Sequence, residues 1–526
     1  MTLGVLCVSL LVVNVDSTIL NVAMPTIVRD LHASSSDLQW IVDVYAIVFA
    51  GLLLVLGSLG DRVGRKRVFV AGLLLFALGS AASAFSGTPH LLIAARGLMG
   101  MGAAAIMPST LSILTNVFVE ERDRAWAIGI WSGTTGLGVA IGPIAGGWLL
   151  AHFWWGSVFL VNVPVIALGL VASIWLVPDS KNPSSKRLDP LGALLSLGGM
   201  GLLLWGIIEA PNRTWESPLV LGALGGAALV LGAFVVWERH SDHPLLELSF
   251  FGSRRFSAAM GSMAFVLFAL AGVLFLLTQY LQFSLGYSPL QAGLRIGPLA
   301  LILLVVAPTS SLLARWLGTK PVVATGMVLI AVGLWLLSRT TVAGTYRSAL
   351  PAFLLLGLGT GLAFAPSTES VMGSLPRTQA GTGSATNSTA LQLGGALGVG
   401  ILGSLLASRY QGRMHLALAH QPVPASVLHI INGSLGGALE VAQHVGGAGG
   451  TALAEVARRS FISGMDLAMT VGAVAVAAGA MVVLAALPSR ADPAPEPSAV
   501  VGGVPRQAPE TLSVDNGSVQ RAEANE

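Results

Sequence analysis

Apolar stretches of about twenty residues recur along nearly the whole chain, and this recurrence limits the fold more than any other feature of the sequence. A helix rises about 1.5 Å per residue, so crossing a ~30 Å hydrocarbon core takes about 20 residues. On that template spans are expected at Thr2–Met24, Leu38–Leu59, Val68–Phe85, His90–Phe118, Ala125–Ala151, Ser157–Val177, Pro190–Ile208, Pro218–Trp237, Phe256–Phe283, Pro289–Leu313, Pro321–Ser338, Ser348–Leu375, Thr382–Ala407 and Phe461–Leu487, fourteen in all. Lipid offers the backbone no hydrogen bonds, so each span has to be a helix and the chain an all-α membrane protein. Composition fits. The 526 residues are 54% hydrophobic and 10% charged, where soluble proteins carry about 25% charged residues.

Several function classes are excluded by what is present. The net charge of +3 is small and dispersed, with no basic stripe, so no nucleic-acid partner is expected. The one cysteine, Cys7, permits neither an intramolecular disulfide nor a cysteine metal cluster. The histidines lie outside the spans or at their edges, without metal-site spacing. No G-x-x-x-x-G-K-[ST] run is present, so the chain is not expected to hydrolyse ATP, to be an enzyme or to need a cofactor. Met1–Leu10 lacks a basic n-region and opens a span-length run, which reads as a retained helix rather than a signal peptide. The absence of basic residues before it points to a natural start further upstream.

The loop charges set an orientation. With the N-terminus cytoplasmic, the short inner loops hold Arg62, Arg65, Lys66, Arg67, Arg122, Arg124, Lys181, Lys186, Arg187, Arg239, Arg254, Arg255, Arg315, Lys320 and Arg377. The short outer loops hold only Arg29, Arg213, Arg339 and Arg347. This is the bias expected of a multi-pass cell-membrane protein with both termini cytoplasmic. The expected organisation is a six-helix bundle over 1–177, two inserted helices with linkers over 178–255, and a second six-helix bundle over 256–487. Residues 408–460 read as a long outer loop, with room for short interfacial helices, and 488–526 as a disordered cytoplasmic tail. The fifth helices of the two bundles are both glycine-dense, a weak internal repeat of the kind found in secondary transporters.

The segment "NVDSTILNVAMP", Asn14–Pro25, places Asp16 in an apolar span. A carboxylate there costs about 2.5–3.5 kcal/mol, so it is expected to be functional. Asp16 lies about 12 Å and Arg96 about 9 Å from the outer ends of their spans, and the shared depth lets them pair. A carboxylate is ionised beside a guanidinium and neutral among apolar groups, which suits it to load and release a proton; the alternative is an inert ion pair. Asn14, Ser17, Thr18 and Asn21 form a polar stripe that suits a substrate cavity, with Asp16 about 100° off its centre. Asp43 is a second proton or cation site, or an acid in outer water. Glu369 lies about 9 Å from the inner end of its span, where it either meets a cationic substrate or faces water. Asp466 is nearer the rim and reads as solvated. Arg295 either pairs with Asp43 at an outer gate or snorkels to the interface. Most of the tryptophans sit near span ends, as an interfacial belt does, while Trp131, Tyr45, Phe49, Tyr280 and Phe283 are candidates to line a cavity.

Two further motifs have mechanical readings. In "GSLGDRVGRKR", Gly57–Arg67, the glycines permit a tight reversal, Asp61 suits a helix N-terminus, and Arg65 and Lys66 can pair with acids on the inner face. Gly57, Asp61, Arg62, Gly64 and Arg65 are therefore candidates for an inner gate. In the fifth span Gly138, Gly142 and Gly146 repeat every fourth residue beside Pro143 and Gly147. This bares a ridge against which a neighbouring helix can pack, so that the two halves rock without a proton leak.

The G-x-L-G-D-R-x-G-R-[KR] spacing of the first motif resembles the loop signature of the major facilitator superfamily. "NVDSTILNVAMP", "LIAARGLMGMGAA" (Leu92–Ala104), "GLGVAIGPIAGG" (Gly136–Gly147) and "VFLVNVPV" (Val158–Val165) resemble the first-, fourth-, fifth- and sixth-helix motifs of its fourteen-span drug:proton antiporters. The resemblance runs to about Leu487. It implies a major facilitator fold of two six-helix bundles plus two inserted helices. It also implies proton-coupled export of small amphipathic, cationic drugs or antibiotics by alternating access, with protons as the coupling ion. Arg96 matches the family's buried arginine. Some dication exporters carry a further acid in the stretch that here reads "GPLALILLVV", Gly297–Val306, so divalent cations are not expected as substrates. The alternatives are a dedicated exporter of one metabolite or antibiotic and, against the fifth-helix motif, a nutrient–proton symporter. The expected partners are a small-molecule substrate and the lipid bilayer, with the chain working as a monomer.

Overall fold

The computed structural model describes residues 1–181, 189–241, 244–374, 380–421 and 423–488. Lys186, Arg187, Arg377 and the expected tail from 489 onward lie outside the described residues. The first half comprises α1 (Thr2–Leu31), α2 (Ser35–Val63), α3 (Arg65–Ala84), α4 (Pro89–Val117), α5 (Glu121–His152), a single turn α6 (Ser157–Leu160) and α7 (Asn162–Leu176). A pair follows, α8 (Pro190–Arg213) and α9 (Pro218–His240). The second half holds α10 (Arg254–Gln279), α11 (Pro289–Leu317), α12 (Thr319–Ser338), α13 (Tyr346–Met372), α14 (Ala380–Leu418), α15 (Ala425–Gly433), α16 (Leu435–Val445) and α17 (Gly447–Ala486). Among the described residues thirteen helices, with α6 and α7 taken together, are long and apolar enough to cross a membrane, and α5, 32 residues long, packs among them.

The helix starts are written locally. Ser34 and Asp37 form a reciprocal capping box before α2, and Ser288 and Gln291 another before α11. Thr88 caps α4, with Pro89 in its first turn. Successive long helices run antiparallel. Thr2 and Ala486 therefore share one end of the bundle, the terminal end, while the α1–α2 turn, α15 and α16 lie at the opposite end.

The segment 408–460 is not a long loop. α14 continues to Leu418, α17 begins at Gly447, and α15 and α16 occupy most of the gap. The mixed composition that reads as a loop belongs to short helices with one buried side. Leu435, Ala438 and Ala442 of α16 are buried, with His444 and Val445 left outside.

The two halves meet along two seams, α2 with α14 and α5 with α11, and contacts between them cluster toward the opposite end. Gln282 donates to the Val22 carbonyl at 2.9 Å, Ser35 to the Gly433 carbonyl at 2.8 Å, and the Arg29 guanidinium sits 5.6 Å from the Phe283 ring centre. The inserted pair packs on itself, and α8 also lies against both α2 and α14.

Candidate functional site

Asp16 and Arg96 form an ion pair inside the first half, Nη1 to Oδ2 at 2.5 Å, with relative exposures of 0% and 1%. The other carboxylate oxygen accepts from Asn162 Nδ2 at 3.0 Å. That amide also donates to Ser80 Oγ at 3.1 Å, and Ser80 donates to the Phe159 carbonyl at 2.7 Å. Arg96 Nε donates to the Ile41 carbonyl at 3.1 Å, and the guanidinium lies 4.3 Å from the centre of the Tyr45 ring and 5.9 Å from that of Phe159. Four helices thus converge: α1 supplies the acid, α4 the base, α2 a carbonyl and an aromatic face, and α7 an amide. Two desolvated charges persist only when their remaining donors and acceptors are met, as they are here.

The polar stripe of α1 lies on another side of the helix. Ser17 is exposed, and Asn14 and Asn21 are half-buried. All three bond to their own helix, Asn14 to Leu10, Ser17 to Asn14 and Asn21 to Ser17. The 100° offset of Asp16 is therefore a division between two environments. Thr18 belongs to neither; its hydroxyl donates to the Gly138 carbonyl of α5 at 3.1 Å.

Three cavity candidates stand differently. Tyr45 is buried with its ring stacked on Arg96 and its hydroxyl unpartnered among the described residues. Trp131 is half-buried and donates to Thr110 Oγ1 at 3.1 Å, tying α5 to α4. Glu369 is exposed near the terminal end of α13.

The glycine ridge of α5 serves its own half. A Cβ on Gly138 would lie 2.5 Å from that of Asn14, one on Gly142 would strike Thr18, and one on Gly146 would lie 2.7 Å from Ile19 Cγ1. The face toward the other half is instead made by Pro143 and Gly147. Gly293 of α11 packs against the Pro143 carbonyl, and a Cβ on Gly147 would lie 2.7 Å from Leu290 Cα. The neighbour that packs on the bare ridge is therefore α1: α5 is gripped by α1 on one side and touches α11 on the other.

At the terminal end, Gly64 turns the chain between α2 and α3 at φ 130, ψ 123, a conformation open to glycine. The turn lets Arg65 Nε reach Asp61 Oδ1 at 2.7 Å, while Arg65 Nη1 donates to the Ser112 carbonyl of α4 at 3.1 Å. Asp61 therefore pairs across the turn with the first residue of α3. Lys66 donates to the Ile174 carbonyl rather than to an acid. Arg62 is exposed, and a Cβ on Gly57 would lie 3.3 Å from Pro108.

Asp43 and Arg295 are not brought together. Asp43 is fully buried on the α2–α14 seam, and neither carboxylate oxygen has a hydrogen-bond partner among the described residues. Arg295 lies on α11, which meets α5 on the other seam. Its guanidinium sits 3.8 Å from the Tyr287 ring centre and 5.6 Å from that of Tyr346, and it donates to the Gln291 carbonyl. Asp43 and Arg295 stand at similar depth on the second helix of each half, but depth says nothing about which seam a helix joins. Reasoning from sequence missed Asn162, Ser80 and the role of Tyr45. Asn162 carried a legible signal, as an amide in the apolar run "VFLVNVPV".

Two helical halves joined along two seams, with an enclosed ion pair in one of them, define a multi-pass membrane protein of transporter architecture. The chain matches the Major Facilitator Superfamily model over residues 6–399 and belongs to that family. It is 35% identical over 482 residues to the multidrug efflux pump LfrA of Mycolicibacterium smegmatis, covering 91% of this chain and 95% of that one. It is 36% identical over 486 residues to the tetracenomycin C resistance and export protein of Streptomyces glaucescens, covering 91% and 90%. It is 32% identical over 487 residues to the methyl viologen resistance protein SmvA of Salmonella typhimurium, covering 93% and 97%. The fold is also that of a bacterial homolog of the human lysosomal transporter Spinster, crystallised in an inward-facing and occupied conformation. That match has a TM-score of 0.64 at 17% identity, over 92% of this chain and 96% of the other.

Proposed function

We propose that this protein is a proton-coupled exporter of small amphipathic, cationic drugs or antibiotics, working by alternating access in the cell membrane as a monomer with cytoplasmic termini. The relatives that cover nine-tenths of the chain are efflux and resistance proteins, and the terminal end carries Arg62, Arg65, Lys66, Arg67 and Arg122. The chain moves its substrate without changing it chemically and needs only protons as the coupling ion. With the halves in contact toward the opposite end, the access route runs from the cytoplasm. Asn14, Ser17, Asn21 and, nearer the inner end, Glu369 meet the substrate, while Asp61 and Arg65 brace the inner gate.

The observation that carries this reading is the enclosed Asp16–Arg96 pair. A proton on Asp16 leaves Arg96 buried with its counter-charge gone. Uncompensated charges of this kind cost about 3–5 kcal/mol. Moving a two-state equilibrium from 1:99 to 99:1 takes about 5.5 kcal/mol, so one protonation supplies much of the bias. Relief requires α1 to shift relative to α4. α1 is locked to α5 through Thr18 and the glycine ridge, and α5 meets α11 through Pro143 and Gly147. A proton at one acid is thereby linked to the seam between the halves. Asp43, on the other seam, is the second acid that exchanges a proton during the cycle.

The test is ethidium efflux from energised vesicles, wild type against Asp16→Asn. The variant is expected to lose uphill export and to keep downhill exchange; full uphill export would remove Asp16 from coupling. A second reading, export of a single antibiotic, is favoured by the 36% identity to the tetracenomycin C exporter. Counterflow against a panel of cations and antibiotics separates the two, since a dedicated exporter exchanges with one member only.

A further inference from the structure

The inserted pair is more than a spacer between the halves. Leu197 and Leu204 of α8 stand seven residues apart, two turns along one face of the helix. Each fills a hole left by a glycine, and the two holes belong to different halves. A Cβ on Gly51 of α2 would strike Leu197, and one on Gly400 of α14 would lie 2.8 Å from Leu204 Cδ2. The same point above Gly400 is 3.4 Å from Asp43 Oδ2. Leu204 is completely buried and packs with Met200 and Ile208 of α8, Ala46 and Ile47 of α2 and Ala396 of α14. Asp43 sits within this apolar cluster with no hydrogen-bond partner for either oxygen among the described residues. α8 and α14 bring it no charge. The only charged residues of α8 are Glu209 and Arg213, 3.9 Å apart and beyond Leu204, and the first on α14 is Arg409, which donates to Ser463. On α2, Asp37 is engaged with Ser34. Arg96 of α4 is occupied by Asp16 and the Ile41 carbonyl.

We propose that α8 is a lid over Asp43, and that Leu204, seated in the Gly400 hole, is the positioning residue that keeps this carboxyl dry until the α2–α14 seam parts. This rests on the reading that Asp43 exchanges a proton during transport, and it assigns the inserted helices a part in that exchange. The proton passes between the carboxyl oxygen and water entering the parted seam, and no other bond changes. Leu197, in the Gly51 hole of the first half, anchors the lid away from the acid. Parting α2 from α14 therefore lifts Leu204 off Gly400 while the anchor stays in place.

The test follows hydrogen–deuterium exchange at the protonated carboxyl by infrared spectroscopy of the full-length protein in lipid. The Asp43 band is identified by its loss in Asp43→Asn. Leu204→Ala is expected to speed its deuterium shift by about tenfold or more. Leu204→Val, which keeps more of the packing, moves it in the same direction. Leu197→Ala, at the anchor away from the acid, lowers thermal stability but changes the rate far less than Leu204→Ala, which separates a lid from a merely structural role. Equal exchange in wild type, Leu204→Ala and Leu204→Val overturns the lid. If no Asp43 band forms at any pH and Asp43→Asn exports uphill as the wild type does, the proton reading itself fails, whatever Leu204 does.

Discussion

Asp16 and Ser17 are neighbours in the chain yet face opposite surroundings: the Asp16 carboxylate is enclosed against Arg96, and Ser17 is exposed on another side of α1. One helix therefore carries both the acid proposed to take the proton and the polar stripe proposed to meet the substrate. Movement of that helix affects both.

Removing the base alone should damage the protein more than removing both charges. Arg96→Ala leaves Asp16 buried and unpaired, a loss of about 3–5 kcal/mol. Asp16→Asn combined with Arg96→Gln keeps hydrogen bonding without charge. Thermal unfolding in detergent is expected to rank the double variant above Arg96→Ala. Both should fail at uphill export while keeping downhill exchange.

The grip of α1 on α5 predicts a contrast between two glycines of one helix. Gly142→Ala drives a methyl group into Thr18 and is expected to cost about 1–3 kcal/mol and to slow transport. Gly133 has open space around its Cα. Gly133→Ala should leave stability unchanged or raise it by about 0.5–1 kcal/mol. Thermal melts of the two variants, with ethidium efflux, check the pair; similar behaviour would argue against the grip.

At the turn between α2 and α3, Gly64→Ala forces a side chain onto a backbone at φ 130, with its Cβ 3.1 Å from Asp179 Oδ1. The strain is expected to be about 1–3 kcal/mol. The Asp61–Arg65 pair spans this turn, so Asp61→Asn should reproduce part of the transport defect with a smaller loss of stability. Parallel efflux and melting measurements distinguish the two effects.

Because Arg295 stacks on Tyr287 and does not meet Asp43, Arg295→Ala should leave the pH profile of uphill export unchanged. Its cost is the cation–π contact, about 0.5–2 kcal/mol. A pH profile displaced to match that of Asp43→Asn would restore the outer-gate pairing.

Much of the fold was legible because a bilayer leaves few choices: twenty apolar residues imply a crossing, and Ser34, Thr88 and Ser288 mark where helices begin. The Asp16–Arg96 pair was legible from depth alone, since helices of known rise bring the two residues level. What depth does not encode is which way a side chain points around its helix. Tyr45 looked like a cavity residue but is folded onto Arg96. The ridge of Gly138, Gly142 and Gly146 announces a closely packed neighbour but not which one, and the neighbour is α1. Asp43 and Arg295 lie on different seams. Asn162 was passed over because depth and composition do not say which side of its helix an amide occupies, and it lies on the side that faces Asp16. Within 408–460 the short helices α15 and α16 were allowed for, but the run of α14 to Leu418 and the start of α17 at Gly447 were not, because those turns lie outside the apolar stretch that marks a crossing.

The helix lying across α2 and α14 also makes the protein lopsided toward its lipid neighbours. One join between the halves is roofed by α8, whereas among the described residues neither inserted helix packs closely on the join of α5 with α11. The hydrocarbon tails of a bilayer therefore press on the two joins unequally, directly on one and through α8 on the other.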